Sequence, residues 1–348
     1  MIYTKIVAAL IAAALLLSSS PTPDLGATPQ VASMPIVLGY YTDQSDGSLK
    51  QYHSQFNLLA TDTLNTDGNG NLVGSTPMQA LKKADQYGIK AYALVSNYGE
   101  KGWDGQIAHQ VLNNPTVKAQ LIANMIKTVR NHDYIGINID FEEVVPEDRQ
   151  ALSLFVRDTA TEMRKYGKKT MVSVPAKTED DIQNGWSGAF DYKKIGRYAD
   201  LVQVMTYDEH GMWSEPGSAA GLSWIDASLK FAVTKVSPSK LLAGVPAYGN
   251  DWNLSDPSDE SGGMMAWKNI RKLIREQSLT GKRDPQSKSM KAAYQADDGD
   301  RHVVWYEDAY SIKLKAQLVK KYRLAGISVY ALGMEDAAFW SALQAGLK

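Results

Sequence analysis

A chain of 348 residues, 44% hydrophobic and 22% charged, has the composition of a soluble globular protein and the length for one large domain or two smaller ones. Its formal net charge of -1, with Lys and Arg spread along the chain, argues against nucleic acid or an anionic membrane surface as a partner. Cysteine is absent, which excludes disulfides and a lipid-modified cysteine, so the stability of the fold has to come from core burial.

The first residues have the pattern of an export signal: Lys5, an unbroken apolar run over 6–17, then serines at 18–20 and Pro21. The run is shorter than the ~20 apolar residues of a spanning helix. No A-x-A stands at the expected cleavage position, so an uncleaved membrane anchor is the alternative reading. Residues 21–33, rich in Pro, Ala, Ser and Thr, read as a linker to a single domain over 34–348. A secreted or wall-associated protein is the expectation.

From Pro35 onward, short β-branched or apolar runs alternate with helical patterns. Strands are predicted at 36–42, 56–61, 90–96, 135–142, 170–175, 201–207, 241–247 and 326–332. Helices are predicted at 76–87, where Ser75-Thr-Pro offers a cap, at 114–131 with Pro115 just inside the start, at 146–166 and at 312–322. Strands alternating with helices predict a parallel sheet with right-handed crossovers, and eight strands are the number that closes a (β/α)8 barrel. A doubly wound open sheet is the alternative, but no G-x-G-x-x-G follows the first strand. The gap between strands seven and eight is too long for one barrel unit. Inside it, residues from Met290 and from His302 flank Asp297-Asp-Gly-Asp, the pattern of a β-hairpin. Residues about 250–310 are therefore expected to form a small α+β insertion over one rim.

The fourth strand carries Asn138, Asp140 and Glu142 at every second position, with Ile137, Ile139 and Phe141 between them. Side chains alternate across a strand, so the polar residues share one face. Strands of a parallel sheet are ordinarily apolar on both faces. Burying a polar group without a partner costs on the order of 2–7 kcal/mol, so a file of three needs a use. Reactive groups of a barrel collect at the C-terminal strand ends. Asp140 and Glu142, with Cα atoms about 6.5–7 Å apart, oppose each other's ionisation, and one can stay protonated near neutral pH. Glu142, nearer the rim and longer, is the expected proton donor, and Asp140 its deeper, ionised partner. Glu143 alternates away from the interior. At the end of strand six, Gln203, Met205 and Tyr207 share a face. Of the tryptophans only Trp252, just beyond strand seven, is placed at the rim. The histidines show no H-E-x-x-H or paired ligand spacing, so no metal site is expected.

These residues carry a resemblance. The stretch Gly136-Ile-Asn-Ile-Asp-Phe-Glu142 resembles the strand-four signature D-G-x-D-x-D-x-E of glycoside hydrolase family 18, the chitinase-like enzymes. The stretch Gln203-Val-Met-Thr-Tyr-Asp208 is similar to that family's strand-six motif Q-x-M-x-Y-D. The resemblance runs over essentially all of 36–345. Within the family it is closest to the bacterial spore-cortex branch, N-acetylglucosaminidases acting on peptidoglycan, whose strand four also reads N-I-D-F-E. Met205-Thr-Tyr-Asp-Glu-His210, Tyr248-Gly-Asn-Asp-Trp252 and Trp305-Tyr-Glu-Asp-Ala309 resemble the same branch.

The resemblance implies a TIM barrel and a secreted glycosidase cleaving β-1,4 bonds beside N-acetylglucosamine in peptidoglycan or chitin-like polymers. It implies a retaining, substrate-assisted mechanism without metal or cofactor, in a monomer whose partner is the polysaccharide. Glu142 would protonate the leaving oxygen, Asp140 would orient the substrate's acetamido N–H, and Tyr207 would hold the acetamido oxygen. The substrate-binding residues it implies are Asn138, Tyr40, Asn97, Gln203, Met205, Asp208, Tyr248, Trp252 and Tyr330. Three positions depart from the family pattern: Ile135 and Asn138 replace its first two strand-four aspartates, and Tyr330 replaces its strand-eight tryptophan. A barrel that binds N-acetylglucosamine polymers without cleaving them is the alternative; the presence of Glu142, Asp140 and Tyr207 favours the enzyme.

Overall fold

Eight parallel strands close on themselves in the computed structural model, which describes residues 34–256 and 262–348. They are β1 (Ile36–Tyr41), β2 (Leu58–Thr66), β3 (Lys90–Ser96), β4 (Gly136–Asp140), β5 (Lys169–Pro175), β6 (Leu201–Met205), β7 (Leu241–Pro246) and β8 (Gly326–Tyr330). Each pairs with its chain neighbour, and β1 pairs with both β8 and β2. The ring has no free edge, which is the (β/α)8 barrel. The apolar run at 6–17 and the linker lie outside the described residues. Among the described residues no helix is long and apolar enough to cross a membrane.

The two faces of the strands separate as alternation requires. Leu38, Tyr40, Leu58, Ala60, Tyr92, Leu94, Met171, Leu201 and Leu242 form one buried cluster inside the barrel. Ile137, Ile139, Val172, Val174, Val202 and Val204 face the other way and join the helices in a larger core. Phe141 continues that outer file and stacks on Phe155 at 5.4 Å.

Strands β4, β6 and β8 each stop two residues before the predicted end, because the chain there leaves the ladder for other partners. The N–H of Glu142 goes to Asn97 Oδ1 (2.8 Å). The N–H of Thr206 goes to the carbonyl of Val204 (2.8 Å), and that of Leu332 goes to the carbonyl of Tyr40 (2.9 Å). Strand β2 runs longer than predicted. Its pairing with β3 slips between Asp62 and Leu64, and it then turns back onto the short strand Leu72–Gly74.

Helix starts follow the local chemistry. Asn114 caps Pro115–Asn131 by accepting from the N–H groups of Thr116 and Val117, with Pro at the first position; such a cap is worth about 1 kcal/mol. A single 3-10 turn, Pro146–Asp148, precedes Arg149–Lys165. The helix predicted from 76 begins at Met78, and Ser75 and Thr76 do not cap it. Asp308 and Ser311 close a reciprocal capping box on Ala309–Tyr322.

The expected insertion is a five-stranded antiparallel sheet with the helix Trp267–Glu276. Its strand Tyr248–Asn253 starts two residues after β7 ends, so the insertion grows directly from the rim. The expected hairpin is present as Met290–Gln295 and Arg301–Tyr306, with Gln295 opposite Arg301 and Gly299 in the turn at φ +96.

Candidate active site

Inside the upper half of the barrel the apolar filling gives way to a polar layer. Asn138 Nδ2 donates to Ser173 Oγ (3.0 Å), and Tyr40 OH meets the same oxygen at 3.2 Å. On the other side Gln203 Nε2 donates to Ser328 Oγ (3.1 Å) and to Tyr207 OH (3.3 Å). Ser173 of β5 takes the Asn138 amide, and its hydroxyl also favours the charged form of Asp140. Asn138 Oδ1, Asp140 Oδ1 and Gln203 Oε1 are buried acceptors without a protein partner. Such groups are rare in a folded chain, and here three of them gather at one end of the barrel.

Glu142 sits just beyond β4 in a seat made by its neighbour strand. Asn97, one residue past β3, is fully buried. Its Oδ1 accepts the Glu142 N–H (2.8 Å), and its Nδ2 donates to the carbonyls of Glu142 (2.8 Å) and Asp104 (2.9 Å). All of its amide is spent on backbone, so Asn97, expected among the substrate-binding residues, holds the acid in place. Glu143 turns outward with φ +53. Gly105 approaches its carbonyl so closely that a Cβ there would lie 2.6 Å from the oxygen.

Burial and mutual repulsion set the charges. Glu142 is pushed well above the ordinary carboxylate range, first by burial, then by the charges of Asp140 and Asp208. Burial, followed by the charge of Asp62, pushes Asp140 up to about 7, while the Ser173 hydroxyl pulls it down. Asp62 is itself pushed up to about 6 by burial, against the Tyr330 hydroxyl, which donates to its Oδ2 (3.4 Å). Burial and the neighbouring charges thus favour the protonated form of Glu142, the form a general acid needs. Asp62 was not anticipated. It is two residues on from Ala60, which faces the interior with Leu58, so the alternation that singled out Asp140 on β4 could have found it.

Tyrosines wall one side of this mouth. The Tyr207 ring lies 5.8 Å from Tyr330 and 6.4 Å from Tyr248, and Tyr40 lies 5.5 Å from Tyr330. The Tyr248 hydroxyl donates to Asp208, whose backbone is held at φ +62. A cavity of about 140 Å³ opens beside Glu142, lined by Met205, Tyr207, Asp208, Trp186 and Trp224. Trp186 is 47% exposed and presents a ring for a sugar face. Trp252 does not line this cavity. It is buried in the insertion sheet between two partner strands, with its indole N–H on the Ser214 carbonyl (3.2 Å). Larger hollows of about 710 and 700 Å³ lie between the helices Pro115–Asn131 and Arg149–Lys165 and at the N-terminal ends of β3 to β5. The carboxylates that line them are paired with cations or exposed: Asp158 meets Lys118 and Arg157, Glu162 meets Lys165, Asp85 meets Lys90, and Asp133 faces solvent; the N-terminal face of a barrel reads as structural.

The backbone superposes on solved structures. A chitinase from Chromobacterium violaceum ATCC 12472 matches with a TM-score of 0.84 and 38% identity, over 90% of this chain and 99% of that one. The uncharacterized glycosylase YvbX of Bacillus subtilis (strain 168) is 43% identical over 317 residues, 90% of this chain and 92% of the relative. The cortical fragment-lytic enzyme of the same organism is 26% identical over 274 residues, 78% of this chain but 63% of the relative. The model of the glycosyl hydrolases family 18 matches residues 36–335. That span takes in every strand of the barrel and the insertion, and the chain belongs to glycosyl hydrolase family 18.

Proposed function

We propose that the protein is an exported glycosidase that cleaves β-1,4 bonds beside N-acetylglucosamine in peptidoglycan or a chitin-like polymer, with retention of configuration. One observation carries the reading: a carboxyl, Glu142, whose surroundings favour its protonated form, held by its backbone at the rim of a buried layer that also contains Asp140 and the Tyr207 hydroxyl. Glu142 donates its proton to the glycosidic oxygen as the bond to C1 breaks. The substrate's own acetamido oxygen closes on C1, giving an oxazolinium-type intermediate, one of the departures from the two-carboxylate scheme. Asp140 accepts the acetamido N–H and balances the developing positive charge. Tyr207 holds the acetamido oxygen in line for attack. Glu142 then takes a proton from water, which opens the intermediate and restores the acid.

The names of the relatives support both polymers, a cortical fragment-lytic enzyme for peptidoglycan and a chitinase for chitin. Every group used comes from one chain, so a monomer suffices. Export rests on the apolar run at 6–17 after Lys5, and the N-terminal mass of the protein recovered from the medium or the wall tests it. Release of reducing ends from purified cortex or wall peptidoglycan, run beside chitin oligomers, tests the activity. Release from one or both supports the reading; binding without release means a carbohydrate-binding barrel.

A further inference from the structure

Asp62 has no part in the hydrolysis just described, yet it stands inside the barrel mouth. On β2 the interior face carries Leu58 and Ala60, and Asp62 is the next residue on that face. Leu94 of β3 pairs with Asp62 on one side and with Asn138 on the other. Asp62 and the polar file of β4 are therefore two strand spacings apart, about 10 Å along the hydrogen-bonding direction. The register slip immediately after Asp62 lets β2 bend at this point, as bulges beside sites do. Its Oδ2 receives the hydroxyl of Tyr330 (3.4 Å), and the Tyr330 ring touches those of Tyr207 and Tyr40. Tyr40 reaches Ser173, whose hydroxyl also takes the amide of Asn138, two residues below Asp140. Asp62 on β2 and Asp140 on β4 thus line the same polar layer of the barrel mouth. On β4 itself, the neighbour below Asp140 is Asn138, which has no proton to exchange.

We propose that Asp62 is the charge partner of Asp140, a positioning residue on β2 that supplies the deep carboxylate neighbour which β4, with Asn138, does not. The proposal rests on Asp140 being the ionised group of the hydrolysis. Asp62 bonds Tyr330 of β8, and its charge acts on Tyr40 of β1, Asp140 of β4 and Glu142 past it, as that of Asp43 beyond β1 acts on Asp62. All the charges among these groups are negative. Once Asp62 is ionised, Asp140 therefore loses its proton only at higher pH. Asp62 in this way fixes the lower end of the pH range in which Asp140 is charged while Glu142 is still protonated. The Tyr330 hydroxyl favours the charged form of Asp62 and so takes part in the same control.

The Asp62→Asn variant keeps the size of the side chain and an acceptor for Tyr330 while removing the charge. The Asp140 carboxyl is followed by carbon-13 NMR in full-length protein labelled at aspartate, with Asp140→Asn assigning the resonance, and kcat/KM is measured against pH on an N-acetylglucosamine oligomer. In Asp62→Asn the Asp140 midpoint should fall by about one pH unit. The acidic limb of kcat/KM should fall with it, and the basic limb, which reports Glu142, should move less. A residue that is only structural would change the Tm and leave the midpoint in place; an unmoved midpoint in the folded variant overturns the proposal. If Asp62→Asn fails to fold, Tyr330→Phe should move the midpoint in the same direction by a smaller amount, and no movement there overturns it equally. A wild-type chain that titrates this way yet releases no sugar would overturn the proposed hydrolysis and leave the coupling of Asp62 to Asp140 standing.

Discussion

Two of the places where the molecule buries carboxylates treat them in opposite ways. At the base of the insertion Glu307, 3% exposed, meets the ammonium of Lys315, itself 1% exposed, and accepts the Ser289 hydroxyl (2.6 Å), which is backed by Ser218 (2.7 Å). Each charge there has a partner. In the barrel mouth, Asp62, Asp140 and Glu142 stand together beside a wall of tyrosines, and no cation among the described residues bonds them. The first arrangement settles its charges and ties a strand end to a helix. The second leaves protons to be shared, as an acid-base site requires. Burial alone does not mark a functional carboxylate: Glu335 is equally buried, with its oxygens on the N–H groups of Gly333 and Trp340. The mouth differs in gathering several carboxylates together.

The comparison can be broken at either end. The largest effect is expected in the mouth: Glu142→Gln should lose roughly 10²–10⁴-fold in kcat while the protein stays folded, checked by reducing-end release and circular dichroism. At the other cluster, Glu307→Gln strands the Lys315 ammonium. Breaking a buried pair costs about 3–5 kcal/mol. The Tm should drop by roughly 10 °C, while kcat per folded molecule stays near wild type. Equal loss of activity in both variants would erase the distinction drawn here.

A smaller effect separates the two clusters by pH. Asp140 is raised to about 7 in the folded chain, above its unfolded value. Between those values the folded state holds a proton that the unfolded state has released, so stability falls as pH rises through the window. Asp140→Asn removes that penalty and should raise stability at pH 8 by on the order of 2 kcal/mol, with little gain at pH 4, as read from denaturant midpoints at both pH values. The smallest expected change is at the seat of the acid. Asn97→Ala should lower kcat by about tenfold while KM moves little, because Asn97 bonds the Glu142 backbone and not substrate.

Much of this was legible in the sequence, for reasons that differ by residue. Barrel strands alternate an interior and an outer file, and both are apolar except where chemistry intrudes. Eight apolar runs and one polar file were therefore enough to place Asp140, Glu142 and Tyr207 at a common end. Ser173 stayed invisible because a serine within Thr170-Met-Val-Ser-Val-Pro175 carries no local signal; its role comes from lying between Tyr40 and Asn138 in space. Trp186 and Trp224 were passed over for Trp252. They sit on a loop and on the helix Leu222–Ala232, and only the path of the chain brings them beside Glu142. Trp252 follows β7 in sequence, but the strand that carries it is paired on both sides. Asn97 was expected at the substrate from the resemblance alone, and only the structure shows its amide bonded to backbone through both Oδ1 and Nδ2. Asp62 was readable from alternation; it was missed because nothing on β2 resembles a motif.

The central claim is that the substrate's own acetamido group does the work of a nucleophile while Glu142 moves the proton. The most direct measurement is reducing-end release by the wild-type chain from N-acetylglucosamine oligomers and from glucose oligomers of the same length and linkage. The account predicts release from the N-acetylated oligomers and none above background from the glucose oligomers. Comparable rates on both would contradict it.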